Sequence, residues 1–427
     1  MPAMAGRRRR MSQARKREMG KLNWRSSMGL CIVLTCCGIA SAGNVEIVVN
    51  PTLYASGEIT AGLNQYIADV QAQGYTPILT TSTFADAAAL RSHLANRYNT
   101  VGLEGTVFVG DLPTATYQQE LDAFPCDLYY MDLDGTWTAS GGGYLDTHEA
   151  GTGDEMPEIF LGRLTASTAV NLYPGASEAS LLNQYFAKNH AYRTGQLSVA
   201  PNGLVYVEED WSDYRANQWA SDMAPTLSGT VTLVDEPNVT ADHDYEAHLA
   251  TGEYENLWIG AHSDVGYHRF EQPFEGDWNA PDDWCWTTSP EVAAMNPKVL
   301  FYNLWACYSS KYTANGYLGG AYLFGNDYGL IACGSTKSGG MLLTSSYFGA
   351  LAEGKTFGEA FYDWWQAEAL RYGYPDGYYT EYLESWDYGQ TLMGDPLLVT
   401  QSYIPEPVTL TLLTAGLACL AGRRRRA

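Results

Sequence analysis

Two segments place a reactive side chain directly after an apolar run. One is Leu257-Trp-Ile-Gly-Ala-His262-Ser263, and the other is Val299-Leu-Phe-Tyr-Asn-Leu-Trp-Ala-Cys307. Neither run needs a polar residue at its end in order to fold. An imidazole and a thiol brought together can do nucleophilic catalysis. A free thiol has a pKa of about 8.5, so a neighbouring positive or basic group must favour the thiolate. The same imidazole can then protonate a leaving amine. A tetrahedral oxyanion needs donors, which backbone N–H groups in the turns after the two runs can supply. Spacing alone leaves a plainer explanation open. A strand-end cysteine is often a small core residue, and a histidine at a loop start is often structural. Cys285, between Trp284 and Trp286, is a weaker nucleophile candidate because no strand is expected before it. A zinc hydrolase using His262, His268 and Cys307 is a third arrangement, but its spacing is not a helical ligand spacing and no motif places a general base.

Acidic residues stand near the same chemistry. Glu208, Glu209 and Asp210 follow the run Leu204–Val207, with Asp213 close behind. Any of the four can orient His262 or line a pocket for a basic substrate residue; a solvated acidic loop explains them more simply. Asp132 and Asp134, in Asp-Leu-Asp-Gly, offer oxygen ligands to a structural calcium ion. No complete calcium-loop pattern follows them, and an ordinary turn accounts for the same residues. Thiol chemistry requires no other cofactor.

The elements that must position these residues alternate along the chain. Val45–Val49, Pro77–Thr80, Thr106–Gly110, Leu128–Met131 and Glu158–Leu161 read as strands in the first half. Glu58–Gln73, Ala85–Tyr98 and Ala179–Tyr192 have helical spacing, with Leu63, Tyr66, Ile67 and Val70 on one face. The second half repeats the pattern. Its strands are Leu204–Val207, Val231–Val234, Leu257–Ala261, Val299–Asn303 and Leu330–Cys333; its helices are Tyr214–Met223, His243–Ala250, Gly319–Phe324, Leu342–Ala352 and Phe357–Tyr372. Such alternation implies parallel strands joined by helical crossovers, hence an α/β class and a layered α/β/α sandwich with a mostly parallel sheet. Functional residues then gather at the carboxyl ends of the strands. The polar segment 194–203 marks a boundary between two α/β subdomains, 44–195 and 203–402.

Both ends read as export signals. Residues 1–42 combine a basic start, an apolar run from Met28 to Ala40 and the small residues Ala40-Ser41-Ala42, the pattern of a secretory signal cut by signal peptidase. Residues 403–427 hold Pro405-Glu406-Pro407, an apolar stretch from Val408 to Ala421 and Arg423 to Arg426. That stretch is short for a bilayer span, which needs about 20 residues, and the arginines would hold its end on the cytoplasmic side. A temporary membrane anchor fits better than a permanent one. The order of these three features resembles the PEP-CTERM sorting signal of exopolysaccharide-producing bacteria. That resemblance implies removal by an exosortase-type enzyme during delivery to the cell surface or medium.

The whole chain carries 25 basic and 48 acidic residues, a net charge of −23. With the two basic ends set aside, residues 44–402 hold 12 basic and 46 acidic side chains, a net of −34. Such a surface repels nucleic acid and anionic lipid. Membrane contact is therefore expected only through the terminal segments, and nucleic acid is excluded as a partner. Four cysteines, Cys126, Cys285, Cys307 and Cys333, remain between the two ends, too few for a disulfide framework in so long a chain.

The middle of the chain also carries a resemblance. His262 after one apolar strand and Ala306-Cys307 after the next look like the gingipain-type cysteine peptidases, which have a caspase-like fold. Phe108-Val-Gly-Asp111, Tyr129-Tyr-Met-Asp-Leu-Asp-Gly135, Pro157-Glu-Ile-Phe-Leu-Gly-Arg163 and Met393-Gly-Asp-Pro-Leu397 match further family segments in order. The likeness implies a secreted endopeptidase acting on protein or peptide substrates. It assigns His262 as general acid/base, Cys307 as nucleophile, and the backbone N–H groups of Ser263 and Cys307 as oxyanion donors. The chain departs from the family's Gly-His-Gly: here the order is Gly260-Ala261-His262-Ser263. That departure keeps a second expectation alive, a catalytically degenerate surface or matrix protein that retains the fold for binding.

Overall fold

The computed structural model describes residues 43–271, 284–372 and 379–404. The signal at 1–42, the tail from 405 onward and the segments 272–283 and 373–378 lie outside the described residues.

Among the described residues, ten strands form the central sheet. In chain order they are β1 (Asn44–Val49), β2 (Thr76–Thr80), β3 (Leu103–Val109), β4 (Phe160–Leu164), β5 (Gly203–Val207), β6 (Val231–Val234), β7 (Glu253–Gly260), β8 (Lys298–Trp305), β9 (Ile331–Ser335) and β10 (Gln390–Gly394). Across the sheet they run β6-β5-β7-β8-β9-β10-β4-β3-β1-β2. Every neighbouring pair is parallel except β9 with β10. β10 therefore separates two parallel blocks of opposite direction, β5 to β9 on one side and β1 to β4 on the other. The α/β class with a mostly parallel sheet is the one expected from the alternation of strands and helices.

Side-chain alternation explains why both faces are covered. Leu204 and Tyr206 of β5 join one buried apolar cluster, while Val205 and Val207 join the other. On β7, Leu257 and Ile259 go to the first cluster and Trp258 to the second. Strands apolar on both faces need helices on both faces. The crossover helices start at recognisable caps. Asp86 accepts the N–H of Ala89 at 2.8 Å to open Ala87–Val101, and Gly102 closes it at φ 68°. Thr356 and Glu359 make a reciprocal capping box at the start of Phe357–Arg371.

Some expectations need correction. Leu128–Met131 is a single helical turn, not a strand. All four of its residues are buried, and an apolar run without alternation does not distinguish strand from helix. The helix expected over Glu58–Gln73 is shorter, Thr60–Ala72, and a separate one, Pro51–Ser56, precedes it. Asn50 caps that first helix by accepting from Leu53 N–H at 2.9 Å. β10 escaped the pattern altogether. Its segment leads into Gly394-Asp395-Pro396, where buried Asp395 accepts from Tyr66 (2.8 Å), Asn189 (2.8 Å), Arg193 (2.5 Å) and the N–H of Leu397 (3.0 Å). That network ties the end of β10 to the helices Thr60–Ala72 and Glu178–Arg193.

Candidate active site

β7 and β8 are adjacent and parallel, with Gly260 opposite Trp305 in the register. His262 stands two residues beyond Gly260, and Cys307 two residues beyond Trp305. Parallel neighbours lie about 4.8 Å apart, so equal offsets past a paired couple bring the two side chains to one stretch of the sheet edge. Both line a small cavity with Trp211, Ala261, Trp305, Ala306, Gly339 and Trp386, leaving open about 30 Å³. Of the four cysteines described, Cys307 is half-buried and the other three are buried.

His262 is held from a third strand. β5 is the other neighbour of β7, and the acidic loop follows it. Asp210 Oδ2 lies 2.8 Å from His262 Nε2. Of the four acids expected near the site, Asp210 is therefore the one that reaches the imidazole. Glu208 lies behind it, fully buried. Its N–H donates to Gly260 O at 2.8 Å, which extends the β5–β7 ladder by one residue. Burial first, and then the Asp210 charge, push the Glu208 carboxyl up to about 8. Glu209 is shifted upward more modestly, mainly by burial. Asp213 is exposed in the first turn of the helix Ser212–Met223, where an acid complements the helix dipole and does not touch the cavity.

The cysteine loop is stitched down on both sides. Ser263 Oγ donates to the carbonyl of Cys307 at 2.5 Å, joining the two strand ends directly. Tyr308 N–H donates to Lys337 O at 2.9 Å, and Ser310 N–H to Ser335 O at 2.9 Å, so the loop continues along β9. Tyr308 adopts φ 57°, an uncommon backbone conformation for a large side chain. The strain turns the chain sharply after Cys307, and the Tyr308 hydroxyl anchors the turn on Asp122 at 2.7 Å. Lys337, mostly buried beside this turn, donates to Ser385 O at 2.8 Å, and burial lowers its pKa.

Aromatic rings form the floor and walls. Trp219 stacks on Trp258 at 3.9 Å, and Trp305 lies 5.8 Å beyond Trp258 in the same orientation. Trp211 meets Trp305 edge-on at 4.8 Å and sits 5.6 Å from the His262 ring. Gly339 lets the loop after β9 close against Trp386. A Cβ there would lie 2.1 Å from Trp386 O, at a φ of +145°. These wall residues were not anticipated. Trp305 and Trp211 each adjoin a predicted site residue, but Gly339 and Trp386 arrive from distant segments that carry no motif.

The remaining candidates fall elsewhere. Cys285 is the second residue of the strand Trp284–Thr288. It accepts from Asp242 N–H at 3.3 Å, and burial pushes its thiol up to about 11. His268 pairs across the ladder from Ser263 and is buried, with Nε2 3.0 Å from the Tyr322 hydroxyl. Burial lowers it to about 3. It turns into an aromatic cluster with Tyr245 and Tyr322, so it does not join His262 and Cys307. Asp132 closes the expected turn. Its Oδ1 accepts from Gly135 N–H at 2.8 Å, and its Oδ2 from Trp137 (2.8 Å) and His148 (2.5 Å). Asp134 and Glu158 approach the same point; Glu158 was not foreseen there. Both Asp132 oxygens are already engaged by protein donors.

A layered, mostly parallel sheet with a thiol and an imidazole at the carboxyl ends of adjacent strands is the frame of a caspase-like cysteine peptidase. The family model described as peptidase family C25 matches residues 53–401, and the chain belongs to this family of cysteine peptidases. No curated protein matches the chain. The family assignment gives no support to the alternative of a binding protein without catalysis.

Proposed function

We propose that the protein is a secreted endopeptidase in which Cys307 is the nucleophile and His262 the general acid/base. The observation that carries this reading is the matched offset of the two residues past the Gly260–Trp305 pair, with both lining one cavity. Asp210 orients the imidazole. A carboxylate only accepts hydrogen bonds, so with the ring proton on Nε2 the lone pair available to take the thiol proton is on Nδ1. His262 takes the thiol proton as the sulfur attacks the substrate carbonyl carbon. The C–S bond forms, and the carbonyl π electrons move onto oxygen. Backbone N–H groups of Cys307 and Ser263 receive that oxyanion. The imidazolium then gives its proton to the leaving amine as the C–N bond breaks. Water, activated by the same imidazole, hydrolyses the thioester and restores both groups.

Export is part of the proposal. Residues 1–42 act as the signal and 403–427 as a PEP-CTERM-type sorting tail, processed by signal peptidase and an exosortase-type enzyme. Among the described residues no helix is long and apolar enough to cross a membrane. A digest of mixed peptides tests the chemistry. Wild-type protein should cleave them and lose activity to iodoacetamide, and Cys307→Ala should cleave none. Cleavage that survives Cys307→Ala refutes the assignment.

A further inference from the structure

The nitrogen of His262 that pairs with Asp210 belongs to a second constellation. Glu208, Asp210 and His262 each offer a ligand atom, and these atoms all lie within 4.8 Å of one another. Glu208 is fully buried, and no side chain donates a hydrogen bond to its carboxyl oxygens; only the backbone N–H groups of Asp210 and Glu271 approach them. A buried carboxyl with no cation or side-chain donor is costly. Its place is dictated by the fold, because its N–H is fixed to Gly260 O at the end of β7. Asp210 reaches over the same ring from the short turn Glu209–Trp211. One imidazole nitrogen with two carboxylates is a ligand set for zinc and similar borderline divalent ions. Calcium takes larger shells made only of oxygen.

We propose that Glu208, Asp210 and His262 Nε2 form a binding site for a zinc-class divalent cation, and that filling it switches the peptidase off. The switch follows from the tautomer. A metal on Nε2 uses that nitrogen's lone pair, so a neutral ring must carry its one proton on Nδ1. Nδ1 can then no longer accept the thiol proton of Cys307. Two carboxylates balance the charge of the ion, the proton displaced from Nε2 is replaced through solvent by one on Nδ1, and nothing is oxidised or reduced. The switch rests on the His262/Cys307 reading; the binding site does not, because the thiol is not among its ligands.

That separation sets the test. Zinc chloride is titrated calorimetrically into the chain carrying Cys307→Ala. One zinc per chain should bind, and adding either Glu208→Gln or Asp210→Asn should weaken binding about ten-fold or more. Circular dichroism confirms that each variant is folded. Absence of zinc binding overturns the site. So does binding that survives both substitutions but disappears with Glu158→Gln, which would assign the ion to the cluster of Asp132, Asp134 and Glu158. In wild-type protein, peptide cleavage should fall over the zinc range that fills the site, recover with a chelator and ignore calcium. Zinc that fills the site without slowing cleavage overturns the switch. A failure of the dyad itself would appear separately, as cleavage that persists in Cys307→Ala.

Discussion

Replacing Arg163 by Met should destabilise the protein by about 3–5 kcal/mol, the usual cost of breaking a buried ion pair on one side. Arg163 lies on β4 at 1% exposure and Asp127 at 2%. The guanidinium grips the carboxylate in two places, Nη2 to Oδ1 at 2.5 Å and Nε to Oδ2 at 3.1 Å. Asp127 also accepts from the hydroxyls of Tyr312 (3.0 Å) and Thr391 (2.6 Å). After Arg163→Met those hydroxyls remain, but the negative charge stays buried without its cation. The pair reaches the site through Tyr312, which lies in the loop after Cys307 and stacks under the guanidinium at 4.1 Å. The loss is a large share of a typical domain stability of about 5–15 kcal/mol. Urea unfolding followed by tryptophan fluorescence measures it. Removing both partners, Arg163→Met with Asp127→Leu, should recover most of the loss, because no uncompensated charge remains. A cost below about 1 kcal/mol for Arg163→Met, or a double variant no better than the single one, refutes the reasoning.

Two further outcomes follow. Asp210→Asn should lower kcat by about 100-fold or more while changing KM little, because an amide can hold the ring in the wrong tautomer; an unchanged kcat removes Asp210 from the mechanism. Stability should fall as pH rises from about 5 to 7. Burial raises Glu158 and Glu208 to about 8, and Glu178 and Glu368 to about 7. Each keeps in the folded state a proton that the unfolded chain has already released. His268, lowered to about 3, acts in the opposite sense, but only below its unfolded value near 6.5. Lys188, lowered to about 7, begins to oppose the trend only above that pH. A thermal midpoint higher at pH 7 than at pH 5 would contradict this balance.

The reactive pair was legible because each member ends an apolar run, a pattern that needs no knowledge of neighbours. Its proximity was not legible. That depends on β7 lying beside β8 in a register that pairs Gly260 with Trp305. Among the four acids, sequence offered no ground to choose Asp210, since the choice turns on side-chain reach across from β5 to β7. The Trp386 and Gly339 walls depend on long-range packing alone. Leu128–Met131 was misassigned because full burial erases the alternation that separates a strand from a helical turn. β10 was missed because it is a short strand buried on both faces, inserted antiparallel beside β9 and far from it in sequence.

The most direct test of the central claim is to map which cysteine reacts first. The folded protein is treated with limiting iodoacetamide near neutral pH, and the alkylated peptide is identified by mass spectrometry. Cys126, Cys285 and Cys333 are buried, and burial raises each of their thiol pKa values. Among the four described cysteines, Cys307 alone should be alkylated, and His262→Ala should slow it as the thiolate loses its partner. Alkylation at Cys285, or a Cys307 rate indifferent to His262→Ala, would contradict that claim.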